Sequence, residues 1–152
     1  MSNEDVMQVL DRHLAAENAH DLDGVLATLV AECEFVDATL GMRWNGHRGA
    51  AEHYRMWWDA FDVQVTGERL HLAAESAVAE TTWRGTHVGA FAGVAPTGRA
   101  VELSVAVVVD LRDGLLAGER FYWDGAGLAR QLGVDAFDVA PGAAMTMGGR
   151  SA

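Results

Sequence analysis

Lysine is absent from the 152 residues: all 11 basic side chains are arginine. That excludes Schiff-base chemistry and a P-loop lysine. Cysteine is nearly absent too. Cys33 stands alone, so neither an internal disulfide nor a multi-cysteine zinc site can form. It lies in the run Cys33–Val36 and reads as a core residue. Long apolar runs are missing: the longest, Val105–Val109, is strand-sized and far short of the ~20 residues of a membrane helix. Positive charge is scarce, and the formal net charge of −11 argues against nucleic acid and anionic membranes as partners. The opening Met1–Gln8 is acidic rather than apolar and does not read as a secretory signal. The expectation is a soluble, cytoplasmic protein.

Motifs for cofactors are lacking as well. No GxGxxG opens a βαβ unit, no GxSxG occurs, and Gly46-His47-Arg48-Gly49 is too short for a phosphate loop. The histidines at 13, 20, 47, 53, 71 and 87 form no HxH or HExxH pair. None is four residues from another, as two ligands on one helix face would be. No nucleotide, flavin or metal is expected.

What the chain does have is a hydrophobic half, enough for one domain with a sizeable core. Glu4–Ala19 carries apolar residues at helical spacing, and Asp21 or Asp23 can cap a second helix reaching Val30. A short strand, Glu34–Ala38, and a turn at Thr39–Gly41 lead to a partner strand beginning near Met42. Gly49–Ala60 reads as a third helix. The period then changes: Val63–Leu72, Ser76–Phe91, Arg99–Leu111 and Leu115–Asp124 read as strands. Asp113-Gly114 makes a tight hairpin between the last two, and Gly127–Leu132 is a short helix ended by Gly133. The order is α+β, with helices on one face of a curled sheet. The domain is expected over residues 1–140, and Pro141–Ala152 as a mobile tail. Within Val101–Asp110 both faces carry apolar residues, Val105, Val107 and Val109 on one and Ala106 and Val108 on the other, so both should be covered, the outer one by a second subunit.

Several side chains can carry chemistry. Period two places Arg120, Tyr122 and Asp124 on one face of the last strand. Asp124 is then either a catalytic acid or the cap of the helix that follows. Arg120 is either its partner, a ligand for a substrate carbonyl, or a rim salt bridge. Asp37, beside Phe35 on its face and ahead of a glycine turn, is either a general base raised by burial or a turn former. His87 shares a strand face with Trp83 and Gly85, and the glycine leaves room for a ligand. His53 and Trp57 are one helical turn apart and are either packing or pocket wall.

Gly46-His47-Arg48-Gly49-Ala50-Ala51-Glu52-His53-Tyr54 resembles the helix entry of the NTF2-like superfamily. The stretch Trp83–Arg99, with its Gly-Thr-His and Pro-Thr-Gly-Arg elements, is similar to that of the SnoaL-like polyketide cyclase branch. Tyr122-Trp123-Asp124 followed by Leu128–Gly133 looks like that branch's C-terminal signature. The resemblance spans about Val6 to Gly133. It implies a cone-shaped α+β fold, usually dimeric, with cofactor-free acid/base chemistry inside the cone. It also implies a role in specialised metabolism such as antibiotic biosynthesis. The substrate would be an apolar, polyketide-like carbonyl compound closed into a ring by an intramolecular aldol reaction. Asp124 matches the proton-shuttling Asp of the cyclases, and Asp37 the base of the related ketosteroid isomerases. Arg120 and His87 would assist catalysis. Tyr122, Trp83, Trp57, His53 and Phe35 would line the substrate site. The branch also includes hydroxylases, epoxide hydrolases and members with no known chemistry. A hydrolase or hydroxylase using an Asp124–Arg120 pair, an isomerase, and a non-catalytic binding protein are the alternatives.

Overall fold

A computed structural model describes residues 1–137. The tail expected from Pro141, and the domain limit at residue 140, lie outside the described residues. The elements run α1 (Asn3–Asn18), α2 (Leu22–Leu26), β1 (Leu29–Asp37), β2 (Met42–Asn45) and α3 (Gly46–Phe61). There follow β3 (Gln64–Leu72), β4 (Ser76–Thr86), β5 (Ala100–Arg112), β6 (Leu115–Trp123) and α4 (Gly125–Leu132). The strands form a single curved six-stranded sheet in the order β2-β1-β6-β5-β4-β3. Every pairing is antiparallel except β1 with β6. This is the α+β fold expected, with helices lying inside the curve.

Local chemistry accounts for the helix ends. Ser2 caps α1, and its hydroxyl and the Asp5 carboxylate reciprocally satisfy backbone N–H groups. Asp21 caps α2, accepting from the Gly24 amide at 3.0 Å. The second helix is shorter than its apolar spacing suggests. Leu29 and Val30 belong to β1, because pairing with β6 begins at Leu29 opposite Leu116. Strand β4 also ends early, at Thr86 rather than Phe91. Beyond it the chain turns in to close the C-terminus of α3. The amides of Val88 and Gly89 both donate to the Ala60 carbonyl, at 2.8 and 3.0 Å. Gly85 and Gly89 permit this approach, since a Cβ at either would strike the Phe61 or Asp59 carbonyl oxygen. The room over Gly85 is therefore filled by the end of α3, and not by a ligand.

Register decides which face of the sheet is the core. Alternate residues of β5, from Val101 to Leu111, are buried under the helices. Ala106 and Val108 point the other way and are half-exposed. On β6, Glu119, Phe121 and Trp123 pair with Val109, Val107 and Val105. These three share the inner face with the buried valines, whereas Arg120 and Tyr122 look outward.

Candidate functional site

A cavity of 310 Å³ lies between α1 and the inner faces of β3 to β6. This is near the lower end of the ~300–1,000 Å³ usual for ligand pockets. Its walls are mostly apolar, with Leu10 and Leu14 from α1, Val107 and Val109 from β5, and Trp83 and Phe121 among them. The exposed Asp11, Glu68 and Arg69 mark its rim. Three titratable side chains line it from within: His13, Glu17 and Glu119.

Helix α1 is fixed over the sheet at both ends of this trio. The Asn18 amide pairs with the edge strand as a further strand residue would. It donates to the Val65 carbonyl (2.9 Å) and accepts from the Val65 amide (2.7 Å). One turn earlier, His13 reaches Thr28 through Nδ1 at 2.6 Å and Tyr54 through Nε2 at 2.8 Å.

With Glu119 ionised, as its lowered pKa favours, counting protons along this chain gives the charge of His13. Thr28 has one hydroxyl proton and donates it to the Val25 carbonyl, at 2.6 Å, so His13 Nδ1 must be the donor to Thr28 Oγ1. The Tyr54 hydroxyl donates to Glu119 Oε2 at 3.0 Å, so His13 Nε2 must be the donor to Tyr54. Both ring nitrogens then carry protons, and His13 is an imidazolium 3.6 Å from Glu119 Oε2. Burial alone would lower the His13 pKa, but the Glu119 carboxylate, with help from Glu17, outweighs it and the pKa is raised. Burial likewise opposes the charge on Glu119, but His13 and the Tyr54 hydroxyl hold its pKa below the ordinary value. Tyr54 stays a phenol, its pKa driven well up by burial and by Glu119. Glu17 is half-buried one helical turn from His13. Burial, partly offset by His13 and reinforced by Glu119, pushes it up to about 7.

The residues singled out in the sequence fall elsewhere, with one exception. Trp83 lines the cavity, its indole N–H donating to Thr81 Oγ1 at 3.0 Å. Asp124 is the exposed N-cap of α4, accepting from the Gly127 amide at 2.8 Å. Arg120 pairs with Asp110 across the outer face of the sheet, and not with Asp124. Tyr122 is 48% exposed on that same face. The expectation that Arg120, Tyr122 and Asp124 share the pocket face is thus reversed, because the β5 register turns the other side of β6 inward. The Asp–Arg pair that would have activated water is also absent.

Asp37 is fully buried but occupied as a turn former, accepting from the Leu40 amide (2.8 Å) and the Trp123 indole (3.0 Å). Burial raises its pKa against those two bonds, and it is not part of the cavity wall. His87 is buried beyond β4 against Phe61. Its Nδ1 accepts from the Thr97 amide at 3.1 Å. Trp57 packs among Trp83, Phe91 and Trp123. Phe35 and His53 pack against Phe121 behind the cavity. Neither ring nitrogen of His53 has a partner among the described residues, and burial lowers its pKa to about 4. Cys33 is buried, as read, and burial pushes its thiol up. Among the described residues no three metal-ligating side chains converge, and no helix is long and apolar enough to cross a membrane.

The family model of the SnoaL-like polyketide cyclases matches residues 5–132. The chain belongs to that family. Solved relatives include TsrD from Streptomyces laurentii, at 28% identity. The match covers 88% of this chain and 98% of TsrD, with a TM-score of 0.77. A candidate polyketide cyclase from Xanthomonas campestris pv. campestris is 20% identical over 85% of this chain and 97% of its own, with a TM-score of 0.78. AclR, a candidate hydroxylase from Streptomyces galilaeus, is 20% identical over 87% and 98%, with a TM-score of 0.75. At 20% identity these last two show the fold. No functionally curated protein matches the sequence. The inner sheet face is where this chain places the buried carboxylate of Glu119. Sequence reasoning passed over Glu119, His13 and Tyr54. The available signal was a lone acid on the face that also carries Phe121 and Trp123.

Proposed function

We propose that this SnoaL-like protein is an acid/base enzyme in which Glu119, in place of Asp124, takes a proton from a carbon beside a carbonyl. One observation carries the reading. A carboxylate on the wall of an apolar cavity is kept ionised by His13 through Tyr54, and a base in that setting is desolvated yet available. The C–H electron pair becomes the π bond of an enolate, and the proton rests on Glu119. Negative charge moves from Glu119 to the substrate while the His13 imidazolium stays fixed nearby, an arrangement that needs no reorganisation during reaction. Attack of the enolate carbon on a second carbonyl closes the ring. The new alkoxide recovers the proton from Glu119, which is again a carboxylate. The substrate class is an uncharged, polyketide-like carbonyl compound of specialised metabolism, and the mechanism needs no cofactor.

Deuterium exchange at the activated carbon of 2-tetralone, followed by NMR, tests the chemical step without the natural substrate. The protein should accelerate exchange over buffer. Glu119→Gln should lower the rate by about 10²–10⁴-fold, as loss of a general base does. Exchange that survives in folded Glu119→Gln would remove Glu119 from the mechanism.

The outer sheet face supports the expected homodimer. Val78, Ala106 and Val108 lie side by side on β4 and β5, next to the exposed Tyr122 of β6. Light scattering should give twice the 16.3 kDa chain mass, and Val108→Asp should return it to one.

A further inference from the structure

The cavity is short of hydrogen-bond donors. The Trp83 indole N–H is spent on Thr81 Oγ1 (3.0 Å), and the Thr81 hydroxyl on the Val105 carbonyl (2.9 Å). Both His13 N–H groups are spent on Thr28 and Tyr54, and the Tyr54 hydroxyl on Glu119. Arg69 remains, but it stands at the rim, 71% exposed, drawn toward Glu80 at 3.7 Å. A carbonyl that becomes an enolate inside this cavity therefore meets acceptors. Fixed donors aimed at the developing oxyanion are usually the largest single contribution to such a step, so the missing donor has to be found.

We infer that Glu17, as a neutral carboxylic acid, is the donor that receives the substrate's carbonyl oxygen. It lines the same cavity as Glu119. It follows His13 by one helical turn, and the Asn18 clamp on Val65 holds its backbone against β3. Among the described residues no hydrogen bond engages its carboxyl, so the proton is free for a ligand. The groups that face it explain why the acid form persists. Burial and the Glu119 charge favour it and His13 opposes it, while Asp11, Glu68 and Arg69 stand exposed at the rim. Two carboxyl groups in one cavity are thereby driven apart, one ionised as base and one neutral as acid. As Glu119 takes the C–H proton, the C–H pair forms the enol double bond. The carbonyl π pair moves to oxygen, and oxygen accepts the Glu17 hydrogen bond or proton. If the proton passes over completely, Glu17 ends as carboxylate and Glu119 as acid, and total charge is conserved. The cavity should accordingly select neutral ketones and reject carboxylates at this position.

This assignment rests on the acid/base reading above, and two probes separate their failures. For 2-tetralone exchange, the wild-type rate should fall as pH rises through about 7, where Glu17 loses its proton. Glu17→Leu should be about 10²-fold slower at pH 6. Glu17→Gln supplies an amide N–H that does not titrate. It should recover at least tenfold over Glu17→Leu and show no fall near pH 7. Arg69→Gln should exchange as the wild type does. For binding, 2-naphthol mimics the enol and quenches cavity tryptophan fluorescence. Glu17→Leu should weaken it about tenfold, with circular dichroism confirming the fold. Equal exchange in the wild type and Glu17→Leu overturns the assignment. So does a Glu17→Gln variant as slow as Glu17→Leu, or loss in Arg69→Gln instead. If the wild type binds 2-naphthol through Glu17 but exchanges no tetralone proton, the donor stands and the enolising reading falls.

Discussion

Two histidines sit fully buried within a few ångströms of the same tyrosine, and they are opposites. His13 has a partner on each ring nitrogen and a carboxylate 3.6 Å away. His53 stacks on Phe121 at 4.7 Å, between Phe35 and Trp44, and has no partner on either nitrogen among the described residues. Both rings touch Tyr54, with centroids 6.0 and 5.0 Å away. Burial pushes both toward the neutral form. The partners decide the outcome, raising His13 and leaving His53 at about 4. Burial sets the cost of a charge, and the hydrogen-bond chain decides whether it is met. The wired side of Tyr54 is where the cavity opens, while the unwired side is core.

Substitutions at four positions would break or sharpen this contrast. The largest effect on stability is expected from Glu119→Gln, which takes the counter-charge from buried His13, so that the ring must give up its proton and its donor bond or stay charged without a partner. That should cost about 3 kcal/mol. The depressed Glu119 pKa contributes stability present above its ordinary 4.5 and lost as pH falls below it. The raised His13 pKa contributes stability present below 6.5 and lost as pH climbs above it. The cost should therefore peak between pH 4.5 and 6.5, and denaturant titrations across pH will show it.

His53→Phe comes next. The depressed His53 pKa gives stability present above 6.5 and lost toward about 4. Removing the ring should flatten that acid limb by up to about 3 kcal/mol. An unchanged limb in thermal melts between pH 7 and 4 would mean that His53 has a partner in solution. Tyr54→Phe removes the bridge but not the charges. It should cost about 1–3 kcal/mol for buried groups left unsatisfied, with slower tetralone exchange. Smaller still is Asp124→Ala, which loses one helix cap, about 1 kcal/mol, with exchange unaltered. Asp124→Asn should be almost silent in both.

How far the sequence speaks to all this follows from which residues need a neighbour to be understood. The α+β order, the Asp113-Gly114 hairpin and the αL Gly133 ending α4 are local, and they are where the pattern put them. The inner face of β6 is not local. Read as far as Asp124, each face of that strand carries an acid and an aromatic, and the middle of β5, Val105–Val109, is apolar on both sides, so alternation alone leaves the choice open. Phe121 with Trp123 outweighs Tyr122 as core, which is the clue that makes Glu119 an anomaly. His13 follows Val6 and Val9 on the buried stripe of α1, again a polar residue at an apolar position. What alternation cannot supply is that residues 13, 54 and 119 meet. That depends on side chains of α1 and α3 both reaching Glu119 of β6. The Gly-Thr-His segment marks the family, but its glycines serve the approach of α3 to the strand, and its histidine serves the loop to Thr97.

The charge on the His13 ring is the most direct test. In protein labelled with ¹⁵N-histidine, both His13 nitrogens should carry protons at pH 6, while His53 shows a neutral ring down to about pH 4. In Glu119→Gln the His13 ring should turn neutral at pH 6. A neutral His13 in the wild type at that pH, whether its proton has passed to Glu119 or to solvent, would contradict the buried charge pair on which Glu119 as base rests.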